Sequence, residues 1–386
     1  MTCPSRRSPC RLESQAVVAG DCIAVPSVIG RNLGVALDIG TTTIAAALHD
    51  LSTGAMLATG SIGNSQTTCG ADVIERISHA ATCLAALNRA VLMSVNHLLG
   101  DLLAKSGAFP ENACEVMCVG NPTMLQLFLG ISPETIGVAP FIPALKNAVT
   151  LPASQAGLRI NPEASVHTLP LLGAYVGSDT VAGILATAMA RHQPGNARLY
   201  LDIGTNVEIV LTDGHRSLCT AAPAGPAFEG PHGHCGSQSI SILAGLLSQG
   251  ILDSSGRLTA PACLTQKDIR NLQYAKAAVA AGMIVLLSRL GLQPGDLQEV
   301  LLAGAFGNSI DPASARAIGL VPDLPLERIR AVGNAALAGA SLALLSPAER
   351  DAASRIPDHV IYVELSGSPE FNDLFTNSLA FPDTRR

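Results

Sequence analysis

The sequence predicts an α/β protein made of two similar lobes, and three observations support this fold class. The segment LDIGTTT at 37–43 returns as LDIGTN at 201–206. The same order of elements surrounds both copies: three strands, a helical stretch, and a strand that runs into a turn. Such a repeat indicates internal duplication. The apolar residues are mainly Ala, Leu, Ile and Val, with aromatics at only 3%, which suits helices packed closely on sheets.

In the first half, the apolar runs GVALDIG, TTIAAALHDL and AMLATGSIG predict three strands, with a turn at 52–54 between the last two. A helix is predicted over the long stretch that begins ADVIERI, and its Met and Leu residues between 84 and 103 recur at helical spacing, as core residues do. Glu75 and Arg76 in this helix are expected to make surface pairs. The strand CEVMCVG follows, and Asn121-Pro122-Thr123 opens the next helix.

The second half repeats this plan. LYLDIG, NVEIVLTDG and SLCTAAPAG predict a three-strand meander, and EVLLAGAFGN predicts a strand that ends in a glycine-rich turn. Between them lies a helical segment whose apolar run, Ala277 to Leu287, is too short to span a membrane and is read as a buried core helix.

These patterns give four predicted regions. Residues 1–31 are a tail or linker remnant, 32–175 the first lobe, 176–345 the second lobe, and 346–386 a C-terminal extension that packs back on the lobes. A nucleotide cleft is expected between the lobes.

The repeated hairpin has the chemistry of a phosphate-binding turn. Glycine allows backbone amides to approach an anion, threonine hydroxyls add donors, and the aspartate can hold a cation through water. The chain contains neither a G-x-x-x-x-G-K-[ST] P-loop nor a G-x-G-x-x-G turn. Period-two alternation continues past each turn, so each leads into a strand and not into a helix. One copy could be an ordinary tight turn; two copies in matching positions argue for a paired site.

Bulk composition excludes some classes of partner. The formal net charge of −6 argues against nucleic acid or an anionic membrane, and no secretory signal is apparent, so we expect a cytoplasmic protein. Charged residues, at 14%, are fewer than usual, which points to surface buried against another copy or partner.

The ten cysteines include no C-x-x-C pair, and most are expected to be small buried hydrophobes. Cys3, Cys10 and Cys22 could assemble a cluster, but their spacing does not favour one, and no iron–sulfur cluster is expected on this chain.

The hairpins and the late LAGAFGN turn resemble the phosphate-1, phosphate-2 and adenosine motifs of the ASKHA superfamily, which includes acetate and sugar kinases, Hsp70 and actin. The resemblance narrows further. GADVIERI, GNPTMLQLFLG, APFIP, YVGSDTVAGIL, AGPAFEG and VGNAALAGA occur in the order seen in reductive activators of corrinoid proteins. The resemblance covers roughly residues 33 to 382 and implies duplicated RNase H-like lobes.

Members of that family use ATP to drive reduction of an inactive Co(II) corrinoid to Co(I), and their electron usually comes through a ferredoxin-like domain on the same chain. Carried onto this sequence, the resemblance implies ATP and Mg²⁺ as cofactors, with Asp38 and Asp202 holding Mg²⁺ through water. It implies a catalytic set of Asp179, Asp202 and Glu208, in which Asp179 orients the attacking water and Glu208 is the second candidate. For Asp179, a capping or first-turn helix acid is an equal alternative. The implied phosphate contacts are Gly40, Thr41, Thr42, Thr43, Gly204, Thr205 and Asn206, and the implied adenosine contacts are Gly304, Ala305, Phe306 and Gly307.

Three features depart from the family pattern or stand outside it. The residues upstream of the first lobe are too few for a ferredoxin-like domain, so the electron is expected from a separate iron–sulfur protein. Val207 stands where relatives usually carry Gly, and a β-branched residue resists positive φ, which would weaken phosphate binding. The loop PAGPAFEGPHGHCG at 223–236 suggests a metal site of His232, His234 and Cys235, although a substrate- or partner-facing loop is the better interpretation.

Three functions therefore compete. The first is an ATP-driven activator of a corrinoid protein, acting as a homodimer like its relatives. The second is a small-molecule kinase of the same fold, and the third is a non-catalytic interaction module.

Overall fold

The computed structural model describes residues 17–18, 21–22, 32–191, 193–229, 236–304 and 310–382. The chain forms two compact units that are discontinuous in sequence. The first comprises 1–171 and 339–354, and the second comprises 172–338 and 355–386. The predicted lobes are continuous segments, whereas here the stretch 339–354 returns to the first unit.

The strands of the described residues fall into two six-stranded sheets and one short pair. The first unit contains β3–β8, the second contains β9–β14, and β1 pairs with β2. Their bounds are β1 Val17–Val18, β2 Asp21–Cys22, β3 Leu33–Ile39, β4 Thr43–Asp50, β5 Met56–Gly63, β6 Ala113–Gly120, β7 Thr150–Pro152, β8 Ser165–Thr168, β9 Arg198–Ile203, β10 Val207–Thr212, β11 Ser217–Ala222, β12 Glu299–Ala303, β13 Ile329–Gly333 and β14 Val360–Tyr362.

Along the chain, the longest α-helix of each unit lies between the meander and the next strand of the sheet, and shorter helices follow. They are α1 Val73–Lys105, α2 Pro122–Phe128, α3 Ala153–Ala156, α4 Ser178–Thr187, α5 Gly236–Ser248, α6 Gln266–Leu290, α7 Pro312–Ala317, α8 Ala335–Leu345, α9 Pro347–Arg355 and α10 Pro369–Asn377.

The two sheets share the order of five strands and differ in the position of the sixth. Their strand orders are β5-β4-β3-β6-β8-β7 and β11-β10-β9-β12-β13, the latter with β14 beside β11. In each sheet the first three strands are an antiparallel meander, and the next two run parallel to the first strand. The shared order confirms the predicted duplication.

Alternation along the first strand of each meander explains why the sheets form. In β9, Leu199, Leu201 and Ile203 join one hydrophobic core, and in β3, Leu33, Val35, Leu37 and Ile39 join the core of the first unit. The two aspartates fall on the other face, because side chains alternate across a strand. Asp38 and Asp202 are partly exposed, although Ala36 and Tyr200 on the same face are fully buried.

Helix α6 is the core helix of the second unit. By length and composition it could cross a membrane, but 78% of its most apolar window is buried within the structure. Its Ala277, Val279 and Leu286 are fully buried, as expected from the sequence. A capping box between Thr265 and Asp268 begins the helix.

Arg76 corrects one expectation. It was predicted on the surface, but its side chain is fully buried. Its guanidinium donates to the Gly70 carbonyl at 3.0 Å and to the Gln66 side-chain oxygen at 3.2 Å. The helical pattern places Arg76 one turn from the N-terminus of α1, and the 3₁₀ segment at 65–69 folds over it. A sequence pattern cannot show that covering segment.

The cysteines only partly match the expectation of burial. Cys118 and Cys219 are buried, whereas Cys83 and Cys263 are exposed. The side chains of Cys3, Cys10 and Cys22 lie outside the described residues.

Candidate nucleotide site

The hairpin turn of the first unit is closed by its own backbone and held by two asparagines. The Gly40 amide donates to the Thr43 carbonyl at 3.1 Å. The side-chain amide of Asn64 donates to the Gly40 carbonyl at 3.0 Å, and the backbone amide of Asn64 donates to the Thr42 carbonyl at 2.8 Å. The Asn121 side chain donates to the Thr41 hydroxyl at 3.1 Å. The turn is therefore a braced structure.

The same asparagine ties the turn to the next helix. Asn121 is the N-cap of α2, and its side-chain oxygen accepts from the Met124 amide at 3.0 Å. One side chain thus satisfies a helix terminus and fixes the Thr41 hydroxyl. The sequence marked Asn121 as a helix start, but not its contact with a residue 80 positions away.

The turn of the second unit is one residue shorter. Ile39 pairs with Ile44 across the first hairpin, whereas Ile203 pairs with Val207 across the second. The Gly204 amide donates to the Asn206 carbonyl at 3.1 Å. Both turn glycines thus use their amides inside the hairpin, so the donors for a phosphate must come from the other predicted residues of the turns.

The space around the two turn glycines differs. A Cβ atom on Gly40 would lie 2.4 Å from the Thr43 carbonyl oxygen. On Gly204 the nearest atom would be the Asn206 carbonyl oxygen at 3.5 Å, which is an ordinary contact. Glycine is therefore sterically required in the first turn, while the second turn tolerates more.

The sequence suggested that Val207 would resist the backbone conformation of the turn, but the structure shows no such conflict. It is the first residue of β10, pairs with Ile203 and Ala222, and is fully buried in the core. Among the described non-glycine residues, only Phe141 and Ala188 have positive φ. The backbone at Val207 is extended, which a β-branched side chain favours.

A glycine at the end of the fourth strand, the last residue of β6 in the first unit and the residue after β12 in the second, comes close to each hairpin. A Cβ atom on Gly120 would lie 2.8 Å from the Ile39 carbonyl oxygen, and one on Gly304 would lie 2.4 Å from that of Ile203. Gly304 also has a φ of +100° and donates its amide to Gly333 at 3.1 Å. Glycine at these two positions lets the strand end approach the hairpin strand. The other predicted adenosine contacts, Ala305, Phe306 and Gly307, lie outside the described residues.

The second unit brings its predicted acids together around one tyrosine. Glu208 lies directly opposite Asp202 in the β9–β10 register, so both side chains share a face. The Tyr200 hydroxyl donates to Asp202 Oδ2 at 2.7 Å. Complete burial raises the pKa of Tyr200 well above its ordinary value, and the charge and hydrogen bond of Asp202 and the charges of Asp179 and Glu208 raise it further. Asp202 thus bonds the hydroxyl directly, while Asp179 and Glu208 act on it through their charges.

Asp202 is an unusual carboxylate. Burial raises its pKa, and the hydrogen bond from Tyr200 offsets part of that rise. Its second oxygen, Oδ1, is the atom that a Cβ on Gly304 would approach at 2.8 Å. A partly enclosed carboxylate with a raised pKa is stabilised in its charged form by a cation placed beside it.

Asp179 lies in the first turn of α4, where its Oδ1 accepts from the Thr180 amide at 2.7 Å. It therefore occupies the first-turn position that the sequence left as its alternative role. Its charge also acts on Tyr200, so this position does not exclude a role in the acidic cluster.

Magnesium fits the chemistry of this cluster. Mg²⁺ prefers oxygen ligands, usually takes one or two carboxylates, and keeps several waters. Asp202 and Glu208 offer such oxygens side by side. Within the described residues no three His, Cys, Asp or Glu side chains converge as direct metal ligands. The loop residues His232, His234 and Cys235 lie outside them.

The first unit has the aspartate, but other residues occupy the two positions compared. Asp38 lies opposite Ala45, and the position two before it is Ala36. The corresponding residues of the second unit are Glu208 and Tyr200. The two hairpins share their framework, but only the second carries the acid pair and the tyrosine.

Known proteins resemble the chain over nearly its whole length. The family model described as RACo middle region matches residues 33–192, and the C-terminal domain of RACo, the ASKHA domain, matches 196–238 and 231–386. Corrinoid activation enzyme RamQ of Eubacterium limosum is 30% identical over 421 residues, which cover 91% of this chain and 70% of that protein. The Co(II) methylated amine-specific corrinoid protein reductase of Methanosarcina barkeri is 22% identical, over 90% of this chain and 77% of that one.

A solved structure described as a reductive activator for corrinoid, iron–sulfur protein superposes with a TM-score of 0.85 at 32% identity. The match covers 91% of this chain but 66% of the solved one, just under two thirds of its length. Together with the ASKHA-domain match, this similarity confirms the duplicated RNase H-like fold.

Proposed function

Because the chain belongs to the RACo family, we propose that it binds and hydrolyses ATP and so supports the reductive reactivation of a corrinoid protein from Co(II) to Co(I). The observation that supports the ATP-dependent part best is the pair of Asp202 and Glu208 on one face of the sheet, with Asp202 hydrogen-bonded to Tyr200 beside a glycine turn. Phosphoryl transfer depends on positioning and charge neutralisation, and this cluster can supply both.

In this proposal each residue has a separate task. Asp38 and Asp202 would hold Mg²⁺ through water, and the hairpin of each unit would bind phosphate through its threonines, Asn206 and the remaining amides. The metal neutralises phosphate charge when bound. Gly304 allows close approach of the adenosine part of the nucleotide.

Glu208 is the stronger candidate for orienting the attacking water. It is 8% exposed and lies directly across from Asp202 in the strand register. Asp179 already accepts a hydrogen bond from its own helix. Glu208→Gln should therefore lower the hydrolysis rate more than Asp179→Asn, with little change in ATP affinity.

The partners follow from the same proposal. Relatives are named for corrinoid proteins, and reduction of Co(II) to Co(I) consumes one electron, which a separate iron–sulfur protein would donate. We further propose a homodimer in the cytoplasm, supported by the low content of charged residues.

The first experiment is calorimetric binding of MgATP to the purified chain. Asp202→Ala and Asp38→Ala should each weaken binding at least tenfold, which is about 1.4 kcal/mol. Asp323→Asn is the matched control, because its side chain is 96% exposed, and it should bind like the wild type. An intact chain that binds no nucleotide would refute the ATP-dependent function and leave an interaction module.

The second experiment adds a corrinoid protein held as Co(II), with titanium(III) citrate as electron source. Two corrinoid proteins are tested, chosen from the names of the relatives: a corrinoid iron–sulfur protein and a methylamine-specific corrinoid protein. The expected result is ATP hydrolysis that rises with one of them, together with the absorbance change of Co(I). ATP turnover on a small metabolite without any corrinoid protein would favour the kinase.

A further inference from the structure

Tyr200 lies at the centre of the acidic cluster, but no motif in the sequence assigns it a role. The side chain is fully buried. A buried tyrosine hydroxyl needs a hydrogen-bond partner, and here the partner is Asp202 Oδ2 at 2.7 Å. Because hydrogen bonds to a charged acceptor are short and strong, this bond restrains the carboxylate as well as the tyrosine.

The bond makes the two carboxylate oxygens unequal. Oδ2 is occupied by Tyr200, whereas Oδ1 lies on the side of Gly304, where a Cβ would come within 2.8 Å of it. A carboxylate fixed at one oxygen presents the other in one direction. Such restraint of a metal-binding group by a neighbouring hydrogen bond commonly tunes affinity for the metal.

Helix α4 is shaped to accept the tyrosine. A Cβ atom on Gly183 would lie 2.1 Å from the Tyr200 hydroxyl oxygen and 2.7 Å from the ring carbon that bears it. Glycine in the middle of a helix is unfavourable in itself. Its presence here leaves a notch that the hydroxyl fills, so α4 is fitted to the position of this side chain.

The first unit provides an internal comparison. Its hairpin aspartate, Asp38, has Ala36 at the position that corresponds to Tyr200. The fold therefore forms without a tyrosine at this place. A tyrosine at this position is therefore not required for a hairpin of this kind to form.

We propose that Tyr200 is a positioning residue, which holds Asp202 so that its free oxygen faces the magnesium–nucleotide complex. The inference rests on the proposed ATP-dependent function and deepens it. Tyr200 itself contacts neither nucleotide nor metal and acts through the Asp202 carboxylate.

The test compares Tyr200→Phe with a matched Tyr274→Phe variant. Tyr274 is 51% exposed on α6, so the loss of its hydroxyl changes only a surface group. ADP affinity is measured by calorimetry with Mg²⁺ and again with EDTA. We expect Tyr200→Phe to leave the affinity in EDTA unchanged and to reduce the gain from Mg²⁺ at least tenfold, while Tyr274→Phe keeps the full gain.

A second measurement needs no nucleotide. Urea unfolding of Tyr200→Phe, Asp202→Asn and the double variant forms a thermodynamic cycle. Effects that do not add would show that the pair interacts in the free protein, as the proposal requires, and additive effects would overturn it.

The outcomes separate the two proposals. If the wild type gains affinity from Mg²⁺ and Tyr200→Phe gains equally, the positioning role is refuted and the ATP-dependent function stands. Lower stability with an unchanged Mg²⁺ gain would likewise show a structural role alone. If the wild type binds no nucleotide at all, both proposals fail.

Discussion

Gly183→Ala should destabilise the protein although it improves the intrinsic helix propensity of α4. Replacing a glycine inside a helix by alanine normally gains about 1 kcal/mol. At Gly183 the new Cβ would lie 2.1 Å from the Tyr200 hydroxyl oxygen, and Tyr200 is fully buried and cannot turn to solvent. Overpacking costs about 1–3 kcal/mol, and displacing a hydrogen bond to a charged group costs about 1.5–3 kcal/mol. The net loss is therefore roughly 1.5–5 kcal/mol.

Gly245→Ala is the matched control in the same unit. Gly245 lies inside α5, and its Cβ would meet nothing closer than the Gln249 side chain at 4.0 Å. This variant should raise stability by up to about 1 kcal/mol. Thermal unfolding separates the two, because each kcal/mol shifts the midpoint by about 2–4 °C in units of this size. Equal midpoints for the two alanine variants would refute the close contact between α4 and Tyr200.

Three further predictions use buried charges. Burial raises the pKa of Asp202 above its ordinary 3.8. The folded state therefore holds the carboxyl proton more tightly than the unfolded state, and stability falls as pH rises past this value. In a Mg²⁺-free series of urea midpoints between about pH 4 and 8, Asp202→Asn should flatten this fall. Burial lowers the pKa of Lys276 from 10.5 to about 8. Between pH 8 and 10.5 the unfolded chain therefore binds more protons than the folded one, and the free energy of unfolding rises with pH by up to roughly 3 kcal/mol. Lys276→Met should abolish this rise in a pH series of urea midpoints. Glu115 pairs with Arg350, their side chains being 9% and 19% exposed. Glu115→Gln should lower the free energy of unfolding by about 3 kcal/mol, because it leaves a largely buried charge without its partner, and an unchanged urea midpoint would contradict a stabilising pair.

The sequence predicted the framework of the fold well because the framework depends on local patterns. Alternating apolar residues around LDIG located both meanders, and Asn121-Pro122 located the start of α2. The return of 339–354 to the first unit was not predictable in this way. It depends on long-range packing, such as the hydrogen bond between His49 and Ser341 at 3.0 Å, which leaves no periodic signal.

The candidate site was predictable in its residue types but not in its internal contacts. The resemblance located Asp202, Glu208 and Asp179, yet their common neighbour Tyr200 reads in the sequence only as an apolar strand residue. Likewise, nothing local links Asn64 to the Gly40 carbonyl. These contacts join residues that are distant in sequence, or that share a face only once the strand register is known.

The difference in turn length explains why similar motifs acquire different surroundings. The first turn has four residues between its paired isoleucines, and the second has three between Ile203 and Val207. A difference of one residue in turn length shifts the register of the following strand and so changes which side chain lies opposite the aspartate. The motif therefore aligns LDIGTTT with LDIGTN, but it does not align the strands that follow them. The register places Ala45 opposite Asp38 and Glu208 opposite Asp202. In the strand register, the second hairpin thus sets a carboxylate opposite its aspartate and the first hairpin sets an alanine there, which is why Glu208 is the candidate for orienting water.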